Sequence, residues 1–309
     1  MKKKILILVA VIAVGLNNGC KVQNSDERKK TDLDKAGLNG KVYSIRTIEY
    51  KAIEKSGEIT KGDIHNYGDL IKYDTTGNCI EENEYNPSGS LRSKSTYKYD
   101  DKGNQIEWNE YNSDGSLGSK TTYKYDDKGN KIEKNYYKSD GSLYYTVTYK
   151  YKYDSRGNKI EENDSGRKST YKYDSKGNQI ETNGYNSDGS LVRKSTYKYD
   201  DKGNKIEENW YKSDGSLRYK YTYKYDDKGN LIEWNRYNSD GSLKDKYTYK
   251  YDDKGNKIED NCYKSDGSSG RKYTNFRYDS NNNRIEVVEY EGEANKAILV
   301  IEREIEYYE

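Results

Sequence analysis

Few residues in this chain are of types and spacings that could perform chemistry. His65 is the only histidine. Imidazole is the usual general base and the commonest transition-metal ligand. One copy, with no cysteine cluster, predicts neither a metal centre nor a cofactor. Cys79 and Cys262 stand at positions that other copies of the repeat fill with Gln105 or Lys131 and with Trp210 or Arg236. They read as incidental thiols, too far apart in a linear array to form a disulfide. Carboxylates are abundant, and any two could be imagined as a glycosidase pair. Recurring in every copy, they read instead as turn caps and charge ladders. The segment Asn-x-Ser-Gly at 86–89 resembles a calcium loop only in part. With Gly89 as sixth residue, Ser95 falls twelfth, where a bidentate Glu is needed. No enzyme is expected.

The remaining candidates are aromatic. Trp108 and Trp234 share one position of the repeat, and Trp210 precedes Tyr211. Exposed flat rings of this kind stack on sugars or anchor a protein partner. These four residues are the candidate ligand-binding set.

Something must position them, and composition limits what it can be. Charged residues make up 35% of the 309 positions and hydrophobic ones 31%, with 37 Tyr but one Phe, one Met and one Pro. So little aliphatic material cannot fill a thick core. A thin or hollow repeat array needs less burial per residue. The net charge of +2 is evenly spread, so no basic face for nucleic acid is expected.

The array is written in the sequence. Tyr-Asp pairs begin at Tyr73, Tyr99, Tyr125, Tyr153, Tyr173, Tyr199, Tyr225, Tyr251 and Tyr278. Each unit contains two turn signals, as in Asp200-Asp201-Lys202-Gly203-Asn204 and Asn238-Ser239-Asp240-Gly241. Asp or Asn first and Gly fourth is the pattern of a type I turn closed by a left-handed residue. In the last copy Asn282 replaces that Gly, and Asn tolerates positive φ best among the others. The Tyr-, Thr- and Ile-rich stretches between turns are too short for helices and read as strands. Tight connections make neighbours antiparallel. The expected fold is all-β: an antiparallel β-meander with two strands per repeat of about 26 residues, forming an open twisted sheet or a partly wound shell.

Simple alternation from the turn at 112–115 places Tyr111, Leu117, Tyr123 and Tyr125 on one face. Ile106 and Trp108 are then expected on the other, beside Lys120, Thr122 and Lys124. Residues 40–72 and 278–309, richer in aliphatics, read as capping strands that would cover the sheet edges. The array proper spans 73–277.

The first twenty residues, MKKKILILVAVIAVGLNNGC, combine a Lys-rich start with a short apolar run. They read as a signal peptide over 1–19. Gly19-Cys20 resembles the end of a bacterial lipobox, although Asn17 stands where a large aliphatic residue is usual. Cys20 would then carry lipid, with 20–39 as tether.

The stretches TYKYDSKGNQI (170–180) and TYKYDDKGNLI (222–232) resemble the YD repeat of Rhs-type proteins. The resemblance covers about residues 72–290. It implies β-strands that wind into a shell, as in bacterial polymorphic toxins and cell-surface adhesion proteins. No Asp-Pro-Gly-type core segment and no toxin domain after residue 290 accompany it. The order of signal peptide, leader and repeats looks like that of bacterial Rhs-repeat lipoproteins. The expected function is non-catalytic binding or adhesion at the cell envelope. Its partners would be the membrane through the lipid anchor, and a glycan or surface protein. The alternatives are a structural spacer and an accessory of a polymorphic toxin system.

Overall fold

A computed structural model describes residues 30–292 and 296–309. Residues 1–19, read from sequence as a signal peptide, and Cys20 lie outside the described residues. A short helix, α1 (Asp32–Ala36), precedes β1 (Val42–Lys55) and β2 (Glu58–Tyr73). The repeats follow as β3 (Cys79–Tyr85), β4 (Leu91–Tyr99), β5 (Gln105–Asn112), β6 (Leu117–Tyr125), β7 (Lys131–Tyr137) and β8 (Leu143–Tyr153). Next come β9 (Lys159–Asp164), β10 (Arg167–Tyr173), β11 (Gln179–Tyr185), β12 (Leu191–Tyr199), β13 (Lys205–Tyr211) and β14 (Leu217–Tyr225). The last are β15 (Leu231–Asn238), β16 (Leu243–Tyr251), β17 (Lys257–Tyr263), β18 (Ser269–Tyr278), β19 (Arg284–Glu291) and β20 (Lys296–Tyr307).

The turns form as the sequence predicts. In one of them the Asp200 N–H donates to the Asn204 carbonyl at 2.9 Å and the Gly203 N–H donates to the Asp200 carbonyl at 3.1 Å. Gly203 has φ 86° and Asn282, in the equivalent place, φ 66°. The Asp200 carboxylate accepts from the Asn204 backbone at 2.8 Å and its side-chain amide at 2.9 Å. The Asp and Asn of every copy are therefore the two halves of a clasp.

The 20 strands form one antiparallel sheet, and the sheet closes. β1 pairs with β2 on one side and with β20 on the other, from Val42 opposite Tyr307 to Lys51 opposite Leu299. Of the two forms expected from sequence, an open twisted sheet or a partly wound shell, the open sheet is thus corrected: the meander winds until it closes into a barrel. The aliphatic ends do not cover two edges; they pair with each other, Ile45 opposite Ile305, so neither edge remains.

The expected assignment of faces is also corrected. Tyr111 pairs with Leu117, but Glu110 pairs with Ser119. Likewise Tyr99 pairs with Gln105 while Lys98 pairs with Glu107. A β-bulge therefore follows each of these turns, and one extra residue reverses the faces beyond it. Trp108 consequently lies opposite Tyr97 and Thr121, on the face of Tyr123 rather than that of Lys120. Ile106 is the extra residue of its bulge and falls on the Trp108 side. Tyr111 and Leu117 belong with the Lys and Glu rows.

Chirality decides which face is interior. Followed from each strand to the next, the register climbs toward the Asn-Ser-Asp-Gly turns by about one residue per strand, the stagger of a barrel tilted by about 35–45°. With the right-handed twist of L-residue strands, that direction of climb turns the Tyr and Trp face inward. The Lys, Glu, Asn and Thr rows face out. Charge on the outer wall is opposite to the apolar band of a lipid-facing barrel. Among the described residues no helix is long and apolar enough to cross a membrane.

The leader, including residues read from sequence as tether, braces the seam. Thr31 caps α1 in a reciprocal box with Asp34. Leu33 and Leu38 pack with Val42, Ile45 and Tyr73. The Asp32 carboxylate accepts from the Tyr99 hydroxyl at 2.8 Å and the Cys79 N–H at 3.0 Å. On the far side of the seam, Asn39 and Asn283 exchange hydrogen bonds of 2.7 and 2.8 Å.

Candidate binding wall

The repeat divides its positions between the two faces. On the outer wall one column reads Glu81, Glu107, Glu133, Glu161, Glu181, Glu207, Glu233 and Glu259. Glu207 shows why it does not vary. It is bonded to Lys198 at 2.9 Å and Lys220 at 2.8 Å on the flanking strands, and accepts from the Asn209 amide at 3.0 Å. Burial pushes its carboxyl upward, but the two lysines and Asn209 outweigh that and hold it at about 2. Glu81, Glu107, Glu181 and Glu233 are also held at about 2 by the same kind of contacts. Each link joins three strands, so the column behaves as a framework.

One residue further along, on the inner wall, the column reads Glu82, Trp108, Lys134, Glu162, Thr182, Glu208, Trp234 and Asp260. The next inner column reads Glu84, Glu110, Tyr136, Asp164, Gly184, Trp210, Arg236 and Cys262. Variation between copies is thus concentrated on the inward face, toward the Asn-Ser-Asp-Gly end. The inner Tyr rows nearer the other end stay constant because they hold backbone: the Tyr125, Tyr199 and Tyr225 hydroxyls donate to the carbonyls of Gln105, Gln179 and Lys205 at 2.8, 2.8 and 3.0 Å.

Where the variable positions become aromatic they join into a ladder across four strands. Trp210 on β13 meets Tyr221 on β14 at a ring-centroid distance of 5.2 Å, and Tyr221 stacks on Trp234 of β15 at 6.0 Å and 8°. Trp234 meets Tyr247 of β16 at 4.6 Å. Tyr221, held between two indoles, is 8% exposed, while Trp210 at the edge is 42% exposed. Polar groups flank the rings. The Glu208 carboxylate accepts from Trp210 Nε1 at 2.6 Å, from Lys205 at 2.6 Å and from the Tyr223 hydroxyl at 3.2 Å. Arg236 is ion-paired with Asp245 beside the other end.

Of the candidate residues, the fold brings together Trp210 and Trp234. Trp108 lies far round the barrel, stacked on Tyr97 at 6.4 Å with its Nε1 donating to Ser95 at 3.2 Å. Tyr211, although adjacent to Trp210 in sequence, is on the outer wall, paired with Lys194. Sequence reasoning missed Tyr221 and Tyr247, which complete the ladder, and Tyr136, stacked on Tyr145 at 4.7 Å and 2°. Comparison of the repeat column by column carries the signal that marks them. His65 is exposed on β2, and among the described residues no group of three His, Cys, Asp or Glu converges as a metal site. Cys79 and Cys262 are free thiols.

Neither a family model nor a curated protein matches the chain. Among solved structures it is similar to the Photorhabdus luminescens Tc holotoxin pore, at 13% identity and TM-score 0.38 over 76% of this chain and 16% of that one. It is also similar to the TcdB2–TccC3 complex, at 14% identity and TM-score 0.34 over 83% of this chain and 19% of that one. A porin-like protein from Bacteroides uniformis matches at 12% identity and TM-score 0.35, over 86% of this chain and 96% of that one. The chain spans less than a fifth of the toxin chains it matches. At these scores the fold is defined by its own strand pairing.

Proposed function

We propose that this chain is a non-catalytic binding protein of the bacterial cell envelope that holds a glycan against the inner wall of its barrel. The observation that carries the reading is the contrast between an outer wall whose Glu, Asn, Lys and Thr columns scarcely vary, apart from the bulge position held by Arg92, Gly118, Tyr144, Val192, Arg218 and Lys244, and an inner wall several of whose columns differ from copy to copy. A sheet selected only to be a sheet has no reason to diversify one face. Side chains freed from framework duty are available to meet a ligand. The Trp210–Tyr221–Trp234–Tyr247 ladder offers flat apolar rings with polar groups at their margins, which suits the alternating faces and hydroxyls of sugars. A closed sheet of this strand number leaves an aqueous interior in which such a chain can lie. Envelope location follows from the signal-like N-terminus, with Cys20 as the lipid anchor.

The reading is tested by titrating residues 21–309 with a panel of soluble polysaccharides while following tryptophan fluorescence. Saturable binding by the native chain that is lost in a Trp210→Ala/Trp234→Ala variant is expected. A folded, β-rich protein that binds no member of a broad panel would leave the structural spacer as the better account. That account draws on the constant Tyr rows, which only secure backbone.

A further inference from the structure

The seam of the barrel holds two arginines that the glycan reading does not use. Arg303 lies on β20 opposite Thr47, two residues from Ile305 and on the same inner face as the Tyr73 cluster. Arg284 opens β19 opposite Tyr278. It occupies the bulge position at which Lys205 turns inward to reach Glu208. On adjacent strands, Glu286 pairs with Glu302, which sets Arg284 and Arg303 diagonally beside each other.

Three inner lysines near this end have a carboxylate: Lys159 has Glu162, Lys205 has Glu208 and Lys257 has Asp260, at 2.7, 2.6 and 3.1 Å, while Lys131 and Lys134 lie over the rings of Tyr123 and Tyr136. Neither Arg284 nor Arg303 has a carboxylate within ion-pair distance among the described residues. Asp260, whose field reaches Arg284, is already held by Lys257. Phe276 offers only its ring to Arg284, at 6.0 Å. The Arg303 Nε–H is buried and has no acceptor at all. Burial lowers both guanidinium pKa values, and for Arg303 the neighbouring Arg284 adds to it, bringing the group down to about 10.

Two like charges side by side in a half-buried wall, one with an orphaned donor, are destabilising unless something neutral or negative completes them. A guanidinium fork matches the oxygens of a carboxylate, sulfate or phosphate. We infer that Arg284 and Arg303 form an internal oxyanion site at the seam between β19 and β20. A free ion and an acidic group on a longer chain present the same oxygens to it. The anion would join the last two strands electrostatically where the ring closes, and it is independent of the aromatic ladder, whose nearest strand is three strands away.

Equilibrium dialysis of the full chain against radiolabelled sulfate reads the site directly. About one bound sulfate per chain is expected, with affinity reduced at least tenfold in Arg303→Gln and in Arg284→Gln. Arg218→Gln, an exposed arginine elsewhere, should bind as the native chain does. The Trp210→Ala/Trp234→Ala protein should also retain sulfate, so loss of glycan binding and loss of this site are distinguishable. Competition by acetate and by a sulfated polysaccharide separates the free ion from the chain-borne group. Thermal melts at constant ionic strength guard against misfolded variants. Sulfate should raise the native midpoint along a saturating curve, whereas general salting-out gives an unsaturated rise equal in all proteins. No stoichiometric sulfate on the native chain, or equal binding by all variants, would overturn the site.

Discussion

Replacing Glu207 by Gln removes one charge from the outer framework without changing its shape, and the cost can be worked from its surroundings. The carboxyl is held at about 2 against an ordinary 4.5. Taken at face value that gap is worth about 3.4 kcal/mol. The partners Lys198 and Lys220 are 68% and 39% exposed, however, and solvent screens pairs of this kind to about 0.2–1 kcal/mol each. The expected loss is therefore about 1–2 kcal/mol at neutral pH and low salt, or several degrees in midpoint for a domain of this size. Because the folded value is depressed, the contribution is complete above the unfolded value. It fades as pH falls from about 4.5 to about 2. Thermal melts followed by circular dichroism at pH 7, 4.5, 3 and 2 should show native and Glu207→Gln proteins converging by pH 2. Half-molar salt should shrink their difference at pH 7. A difference that persists unchanged at pH 2, or no difference at pH 7 in low salt, would refute the framework argument.

Two further outcomes rest on local structure. Gly203→Ala should cost about 1–2 kcal/mol in urea denaturation, purely from its φ of +86°, because nothing lies within 4 Å of the added Cβ; a neutral result would mean the turn can change type. Burial raises the thiols of Cys262 and of Cys79, the latter to about 12. Both should react slowly with a thiol reagent at pH 8 until the barrel is unfolded, and rapid native labelling would contradict the burial of these two thiols.

Much of this protein is local, and what is local was legible. Asp-x-Lys-Gly-Asn closes on itself through its own Asp and Asn, so each turn, and the antiparallel hairpin it forces, can be read from five residues. The all-β meander follows from that. Two things are not local. The first is face. A single extra residue at Leu117–Gly118 or Gln105–Ile106 reverses every side chain beyond it, and nothing in strict alternation announces a bulge. Trp108 changed walls for that reason, and Tyr211 parted from Trp210 through the alternation itself.

The second is closure. The repeat fixes stagger and twist per strand, but whether an array coils or closes depends on the sum over all of them and on whether its two ends meet in register. Val42–Lys51 met Leu299–Tyr307, and only then did one wall become an interior. The sequence by itself determined the strands, their order and which columns of the repeat may vary. The tertiary structure decided that the varying columns face one another across a common space, because inside and outside exist only once the ring is shut.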